Sequence, residues 1–596
     1  MAEIQNPNQQ GGGGGGFDSR TILAFSAVFL LIFLGMQYFK PKTPPASGHA
    51  ATQQQKSSAP AAQSQTAATS DAGTAAPASS SQAAAPEANA VQAAAESETV
   101  IENELYRITF SNRGAEVKSW ILKKYKNDDG KPLDLVNAAN AAKYGFPLSL
   151  HVYDEGLQSR LNQAMYVPSA TGRVNTPGTL SFKYSAGGLQ VKKTFTFDSS
   201  YVIHAEVTAT RQGAPLTAAL AWPAGFGDQN TLPQYAASMI DTAKNGDVDQ
   251  IKPKKVSGGA TEQGPFQWAG VSDLYFAAIF LPDEAENTSL VTLHNTIDLP
   301  RDPKHPESGQ VEHASVLGAG IGGTAATFST RLFVGPKSLD VLESVNTHGG
   351  PSLEKAVTFG WWGWVAKPMF LLTRFFYDHG VRNWGWAILV LTFLLNIAMM
   401  PTRFQMMKSS LKMQRIQPEM DVIKAKYAKY KATDPRRQEM NKEMFDLQKR
   451  EGINMFGGCL PMLLQYPLIY GFYRMLENVI ELRQAHWLWL PDLSAPDPLH
   501  ILPVFFIGSM FLVQFFTPSP GMDRSQQRMM AFMMPAIFGF MMWNVGSGLA
   551  LYWAGSNIIG VGQQLVINRT SMGREMRALA AKRAAKKQGK IVNARR

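Results

Sequence analysis

The chain has 596 residues, room for several domains, with 45% hydrophobic and 17% charged residues and a formal charge of +11. Its single cysteine, Cys459, excludes an intramolecular disulfide; a lone thiol reads most simply as a small apolar filler. These averages conceal a chain divided into apolar and polar blocks, so the distribution of charge says more than its sum.

Residues 1–20 are polar and carry six consecutive glycines, Gly11 to Gly16, which cannot bury a core. "TILAFSAVFLLIFLGMQYF", Thr21 to Phe39, then offers 19 residues without a charge. That is long enough to span a bilayer and longer than the roughly 7–15 apolar residues of a cleaved signal, so an uncleaved anchor is expected. Residues 40–98 are almost all Ala, Gln, Ser, Thr, Pro and Gly, the composition of a flexible tether.

From 99 to 345 short runs approach a period of two: "LYRITF" (105–110), "LSFKY" (180–184), "LQVKKTFTF" (189–197), "YVIHAEVTAT" (201–210), "SLVTLHN" (289–295) and "TRLFVGP" (330–336). Gly, Pro, Asn and Asp clusters separate them, which predicts an antiparallel β-sandwich. No metal-ligand spacing or nucleophile motif stands out in it, no cofactor is expected, and His204 reads as structural. "KPMFLLTRFFYDH" (367–379), within a connecting stretch 346–380, suits a short helix lying in the membrane interface.

Five apolar segments follow, at 384–400, 456–475, 499–516, 529–545 and 548–567, predicting a core of five transmembrane helices over 381–568. Several are near the short end of the spanning range and suit thinned lipid. Between Thr402 and Met455 there are 13 Lys/Arg against seven Asp/Glu; after Ile567 there are ten against one, Glu575. The loop 517–528 carries Arg524 and Arg528 against Asp523, whereas 481–498 carries Glu481, Asp492 and Asp497 against Arg483. By the positive-inside rule the stretches 402–455, 517–528 and the tail after Ile567 are cytoplasmic, the sandwich is outside, and both termini are inside.

Polar residues interrupt the spans. Thr392 and Asn396 share a face of the second span, Gln465 interrupts the third, and Gln514 lies near the inner end of the fourth. The last span carries two parallel polar stripes: Tyr552, Ser556 and Gln563, and beside them Trp553, Asn557 and Gln564. Such residues serve as interhelical hydrogen-bond glue or line a hydrated cavity; as a group they favour the cavity. The insertion 402–455 reads as a cytoplasmic αα-hairpin, with stripes at Ile416, Met420, Ile423, Tyr427 and Tyr430 and at Met440, Met444 and Leu447. Pro435 suits a helix start and Asp434 a cap. The stripe, with Met413, either packs on itself or receives varied apolar clients. The tail 569–596, with Lys582, Arg583, Lys586 and Lys587, suits a polyanion, whether lipid headgroups or RNA. Arg474 lies about 27 Å along its helix from Phe456, close to the outer interface, where it can snorkel.

"GGCLPMLLQYPLIYGFY" (457–473), "IELRQAHWLWLPDLSAPDPLHILP" (480–503) and "GLALYWAGSNIIGVGQQ" (548–564) resemble the YidC membrane protein insertase family of Gram-negative bacteria. The resemblance covers the whole plan of anchor, periplasmic domain, five core spans, cytoplasmic hairpin and basic tail. It implies an insertase and chaperone of the inner membrane, not an enzyme. Such a protein acts on nascent membrane proteins, alone or with the Sec translocon, through a hydrophilic groove open to the cytoplasm and to lipid. It further implies that Thr392, Asn396, Gln465, Tyr552, Trp553 and Ser556 line the groove, that the hairpin receives clients, and that the tail meets the ribosome. One departure stands out. The family commonly has an arginine five residues before the proline that ends the second span; here that residue is Asn396. Arg474 and Arg403 are the candidates to replace it, and Asn396 lies only about 7.5 Å along the helix from Pro401, far from the depth of Arg474. Two rival functions fit polar helix faces: a solute transporter or channel, and a scaffold that assembles membrane proteins without translocating any part of them.

Overall fold

The computed structural model describes residues 90–301, 310–323, 325–430, 434–453, 460–516, 524–579, 581–582 and 585. The expected anchor, nearly all of the tether, the start of the 456–475 apolar segment at 456–459, and tail residues Arg583, Lys586 and Lys587 lie outside them.

Alternating burial builds the strand-rich half. In Leu189–Phe197 every second residue, Leu189, Val191, Lys193, Phe195 and Phe197, is buried. This strand lies in a ten-stranded sheet, flanked by Gly178–Ala186 and Val202–Arg211, which leads on through Thr327–Pro336 and Phe276–Pro282 to Phe266–Ser272. A five-stranded sheet runs in the order Ala260–Gln263, Thr288–Pro300, Val311–Gly323, Ala219–Trp222 and Ser149–His151. All six sequence runs fall on strands, and the sandwich is present. Its third sheet, also five-stranded, departs from a purely antiparallel expectation, because Glu98–Glu102 pairs in parallel with Gly172–Asn175. Aromatic residues lock the three sheets together. Phe110 in the third sheet meets Phe195 at 5.1 Å and Phe182 at 5.8 Å, while Trp120 meets Trp222 at 5.9 Å.

The helical half comprises α1 (Gly363–Phe376), α2 (Trp384–Ala398), α3 (Met400–Lys426), α4 (Arg436–Arg450), α5 (Leu460–Asn478), α6 (Ile501–Phe516), α7 (Arg524–Met541) and α8 (Ser547–Arg569). Helices cover the five apolar segments, yet among the described residues no single helix is long and apolar enough to cross a membrane. The sequence supplies the reasons. Helix α2 stops after 15 residues, just before Pro401 in the first turn of α3. Pro467 and Pro535 interrupt α5 and α7. Helix α8 has 23 residues but carries two polar stripes. Segments Gly360–Val381 and Trp384–Ala398 are long and apolar enough together, bent by 116° at a turn where Arg382 takes a left-handed φ of +44°.

One apolar cluster runs from the sandwich through Leu353, Phe359 and Phe370 into Leu391, Phe472 and Tyr552, so the two halves share a core. Polar ties reinforce the joint. Ser338 donates to Glu481 at 3.0 Å, and Arg374 pairs with Asp340.

Candidate functional site

The cluster that draws attention lies between α2 and α8. Thr392 is wholly buried, and its hydroxyl donates to the Ile388 carbonyl one turn earlier at 2.7 Å. Asn396, 6% exposed, sits one turn further on. Its Nδ2 donates to the Thr392 carbonyl at 2.9 Å and to Ser556 Oγ at 3.2 Å across the helix interface. Gln563 Nε2 donates to the Asn396 carbonyl at 3.0 Å, while Gln563 Oε1 is buried without a partner. Arg403, from the first turn of α3, reaches back so that Nη2 donates to Asn396 Oδ1 at 3.1 Å. Among the described residues that is the only side-chain hydrogen bond the guanidinium makes, although it has five N–H donors. Gly560 makes room for it: a Cβ there would lie 3.3 Å from Arg403 Nη1.

The two polar stripes of α8 separate in three dimensions. The Tyr552 stripe faces α2 and α5: Tyr552 is 4% exposed and stacks on Phe472 at 4.2 Å, with Ser556 and Gln563 on Asn396. The Trp553 stripe faces α6, with Trp553 against Phe506 at 5.9 Å and Asn557 donating to Ser509 at 3.1 Å. Trp553 therefore does not join the Asn396 cluster. Half-buried Gln465 lies two turns before Phe472, on the same face of α5. Arg474 is elsewhere, paired with Glu477 at 2.7 Å and 3.8 Å from the Cβ position at Gly360.

Helices α3 and α4 pack through Ile416, Met420, Leu447 and Ile453, with Met413, Ile423 and Met444 alongside. Met420 and Met440 are at most 9% exposed, and Arg437 Nη1 lies 3.7 Å from Met440 Sδ. The methionine stripe thus packs on its own partner helix, beside ion pairs Lys426–Glu443 and Arg450–Glu419 that also join the two; Val422 and Phe445 are among the exposed apolar residues there. Pro435, not Asp434, stands at the N-cap of α4, which begins at Arg436; Asp434 lies just before it, its Oδ1 accepting from the Arg436 N–H at 3.0 Å. Sequence reading missed that Met572, Met576 and Leu579 pack on Phe404, Met407 and Leu411, with Glu575 paired to Arg415 at 2.6 Å. The single acid in a basic tail was the available signal. Lys582 is exposed beyond this contact.

In the sandwich, Ser329, His204 and Asp283 lie together, with Ser329 Oγ at 2.9 Å and Asp283 Oδ2 at 3.1 Å from His204 Nε2. Both use the same ring nitrogen, so the imidazole cannot relay a proton from serine to a carboxylate-held Nδ1.

The arrangement is a large β-sandwich joined through a common core to a bundle of apolar helices with a buried polar cluster. Residues 98–372 match the YidC periplasmic domain family and residues 375–575 the 60Kd inner membrane protein family. The membrane protein insertase YidC of Geobacter sulfurreducens is 32% identical over 492 residues, covering 78% of this chain and 85% of that one. That of Syntrophus aciditrophicus is 32% identical over 485 residues, covering 80% and 85%. A solved YidC insertase with its first transmembrane domain resolved aligns over 80% of this chain and 95% of that one, at 17% identity and a TM-score of 0.33. On the sequence matches, the chain belongs to the YidC family of inner-membrane protein insertases.

Proposed function

We propose that this chain inserts nascent membrane proteins by admitting their polar segments to a groove between α2, α5 and α8, whose polar wall is Asn396, Arg403, Ser556 and Gln563. Thr392 and Tyr552 form its floor, and Gln465 lies toward its entry. Trp553, on the neighbouring stripe, meets the client's apolar helix on the side of α6. The observation that carries the reading is Arg403: a guanidinium held by one amide, with donors to spare, beside an orphaned amide oxygen inside an apolar bundle. Polar groups so placed in a membrane protein mark a pathway rather than packing. Arg403 also supplies the charge that Asn396 lacks, so the arginine of the family pattern is relocated by two helical turns. An acidic translocating segment pairs with it.

Physical economy supports a partial groove. Helix α2, with described residues on both sides, has 15 residues, about 22 Å of rise against a hydrocarbon core of about 30 Å. A thinned bilayer beside a hydrated wall shortens the apolar path for the client's polar segment. Partition of its apolar helix into lipid then drives insertion.

Within this reading α2, α5, α6, α7 and α8 are the five spans, the anchor at 21–39 is a sixth, and both termini are cytoplasmic. Helices α3 and α4 form the cytoplasmic hairpin. It meets clients first through Val422 and Phe445, with Met413, Met420, Met440 and Met444 behind them and reached when the helices part. The tail, held at its root by Met576 and Glu575, presents Lys582, Arg583, Lys586 and Lys587 to ribosomal RNA or lipid. Larger clients arrive through the Sec translocon. The test is reconstitution into liposomes with a small client whose translocated segment is acidic. Arg403→Leu is expected to lower insertion at least about tenfold, the loss of one charge-assisted contact. Insertion equal to that of the unaltered chain would remove Arg403 from the pathway, and insertion no better than in empty liposomes would sink the groove altogether.

A further inference from the structure

The joint between the two halves carries more positive charge than it uses. The segment after α5 lies against the turn that joins Glu116–Lys126 to Pro132–Asp134. Gln484, with a φ of +58° that is costly for a residue with a Cβ, directs Nε2 to the carbonyls of Lys126 at 2.9 Å and Asn127 at 3.3 Å. Arg483 Nη1 donates to the same Lys126 carbonyl at 2.9 Å, its guanidinium spread 5.5 Å from the Phe276 ring. A cleft of about 600 Å³ opens here, lined by Lys124, Lys126 and Arg483 and by the amides of Asn127 and Gln484. Among the described residues none of the three cations forms an ion pair. Two carboxyls share the lining. Asp128 is exposed on the turn, and Glu481 accepts from Ser338, with burial raising its pKa.

The site lies where the chain leaves the helical bundle. Half-buried Trp489 and buried Trp487 are in the same segment, a pair of residues of the type enriched at membrane–water boundaries. We propose that this cleft binds the phosphodiester headgroup of an anionic phospholipid of the outer leaflet, tying the sandwich to the bilayer surface. Two ammonium groups and a guanidinium meet the phosphate, and the amides meet headgroup hydroxyls. The inference rests on the outward placement of the sandwich proposed above.

The test uses the purified full-length chain in detergent, incubated with phosphatidylglycerol or phosphatidylethanolamine and examined by native mass spectrometry. One phosphatidylglycerol is expected to stay bound in preference to phosphatidylethanolamine, and to be displaced by soluble glycerophosphoglycerol but not by equimolar inorganic phosphate. Lys124→Ser with Lys126→Ser, which leaves the Lys126 carbonyl in place, is expected to weaken retention about thirtyfold, the worth of two lysines at an anionic surface. Lys183→Ser with Lys192→Ser, on an exposed face elsewhere in the sandwich, leaves it unchanged. Equal retention by the cleft variant, or no preference for the anionic lipid, overturns the proposal; displacement by inorganic phosphate overturns the lipid as its ligand. Client insertion by the cleft variant stays within about twofold of the unaltered chain, since the groove is a distant site. A failed lipid site with intact insertion therefore refutes this inference and not the function.

Discussion

The chain buries a cation in each half and treats the two differently. Lys193 in the sandwich is wholly buried, and its ammonium donates to the carbonyls of Gly114 at 2.7 Å, Ala115 at 3.1 Å and Leu148 at 2.8 Å. All three donors are spent, as a structural cation requires. Arg403, among the short helices, is half-buried and spends one donor of five. Closed hydrogen bonding fixes a fold, and open hydrogen bonding leaves capacity for something that comes and goes. On the proposed function, the contrast separates scaffold from site within one chain.

The sharpest way to break the comparison is to remove the closed cation. Lys193→Met leaves three buried carbonyls unpaired and should destabilise the sandwich by about 3 kcal/mol or more. Thermal unfolding of the full-length chain, followed by near-ultraviolet circular dichroism, measures it. Insertion per folded molecule should not change. If Lys193→Met lowered insertion while leaving stability intact, the division between the two cations would be false.

The open cation should behave in the opposite way. Arg403→Asn alone should cut insertion of an acidic client at least about tenfold while changing stability little, because few contacts are lost. Asn396→Arg alone should also harm, since it sets a second guanidinium beside Arg403 in a space walled by Ser556 and Gln563. The exchange Asn396→Arg with Arg403→Asn restores both the charge and the amide, and should recover most of the activity. Liposome insertion assays on the three variants form a double-mutant cycle. Additive losses in the exchange would mean that the two side chains act separately.

A third test probes how closed the sandwich is. Asp228 and Asp273 lie together in the core, and each has a buried carboxyl oxygen without a hydrogen-bond partner. Burial, then the Asp273 charge, raises the Asp228 pKa well above its ordinary value, against a smaller opposing pull from Arg483. A raised acid binds its proton more tightly folded than unfolded, so its contribution is complete at low pH and is lost as pH climbs from the unfolded value toward the folded one. Asp228→Asn offers an N–H in place of the carboxyl and removes the titrating proton. Relative to the unaltered chain it should gain about 1.4 kcal/mol per pH unit across that window. Unfolding midpoints of both proteins at pH 5, 6, 7 and 8 give the slope, and parallel curves would show that the pair holds no proton.

Sequence periodicity revealed the strands because burial alternates along them, and it placed Lys193 at an inward position of "LQVKKTFTF" without saying why a lysine belongs there. The answer lies with carbonyls at 114, 115 and 148, which no local pattern connects to position 193. The two stripes on α8 were legible from spacing, but not their neighbours: only the fold sends Tyr552 to Phe472 and Trp553 to Phe506. Arg403 was visible as one of two candidates. The proposed function favours it because α3 begins within two residues of the end of α2, which lets the guanidinium fold back on Asn396. The methionine stripe was read correctly as apolar, yet sequence could not say whether a partner helix already covered it.

The smallest expected effect is also the most discriminating for the open cation. Gly560 lies within the exposure-poor face of α8, and an added Cβ would stand 3.3 Å from Arg403 Nη1. That contact is to the far end of a flexible side chain, which has the freedom to move a few tenths of an ångström. Gly560→Ala should therefore gain helix stability, up to about 1 kcal/mol less the cost of displacing the guanidinium. If the spare donors of Arg403 hold water and client, crowding them should lower insertion of an acidic client by about twofold while a client with a neutral segment is unaffected. Equal loss for both clients would point to a change in helix packing instead. Unchanged insertion together with the full stability gain would show that the guanidinium swings freely and that its place beside Asn396 carries no function.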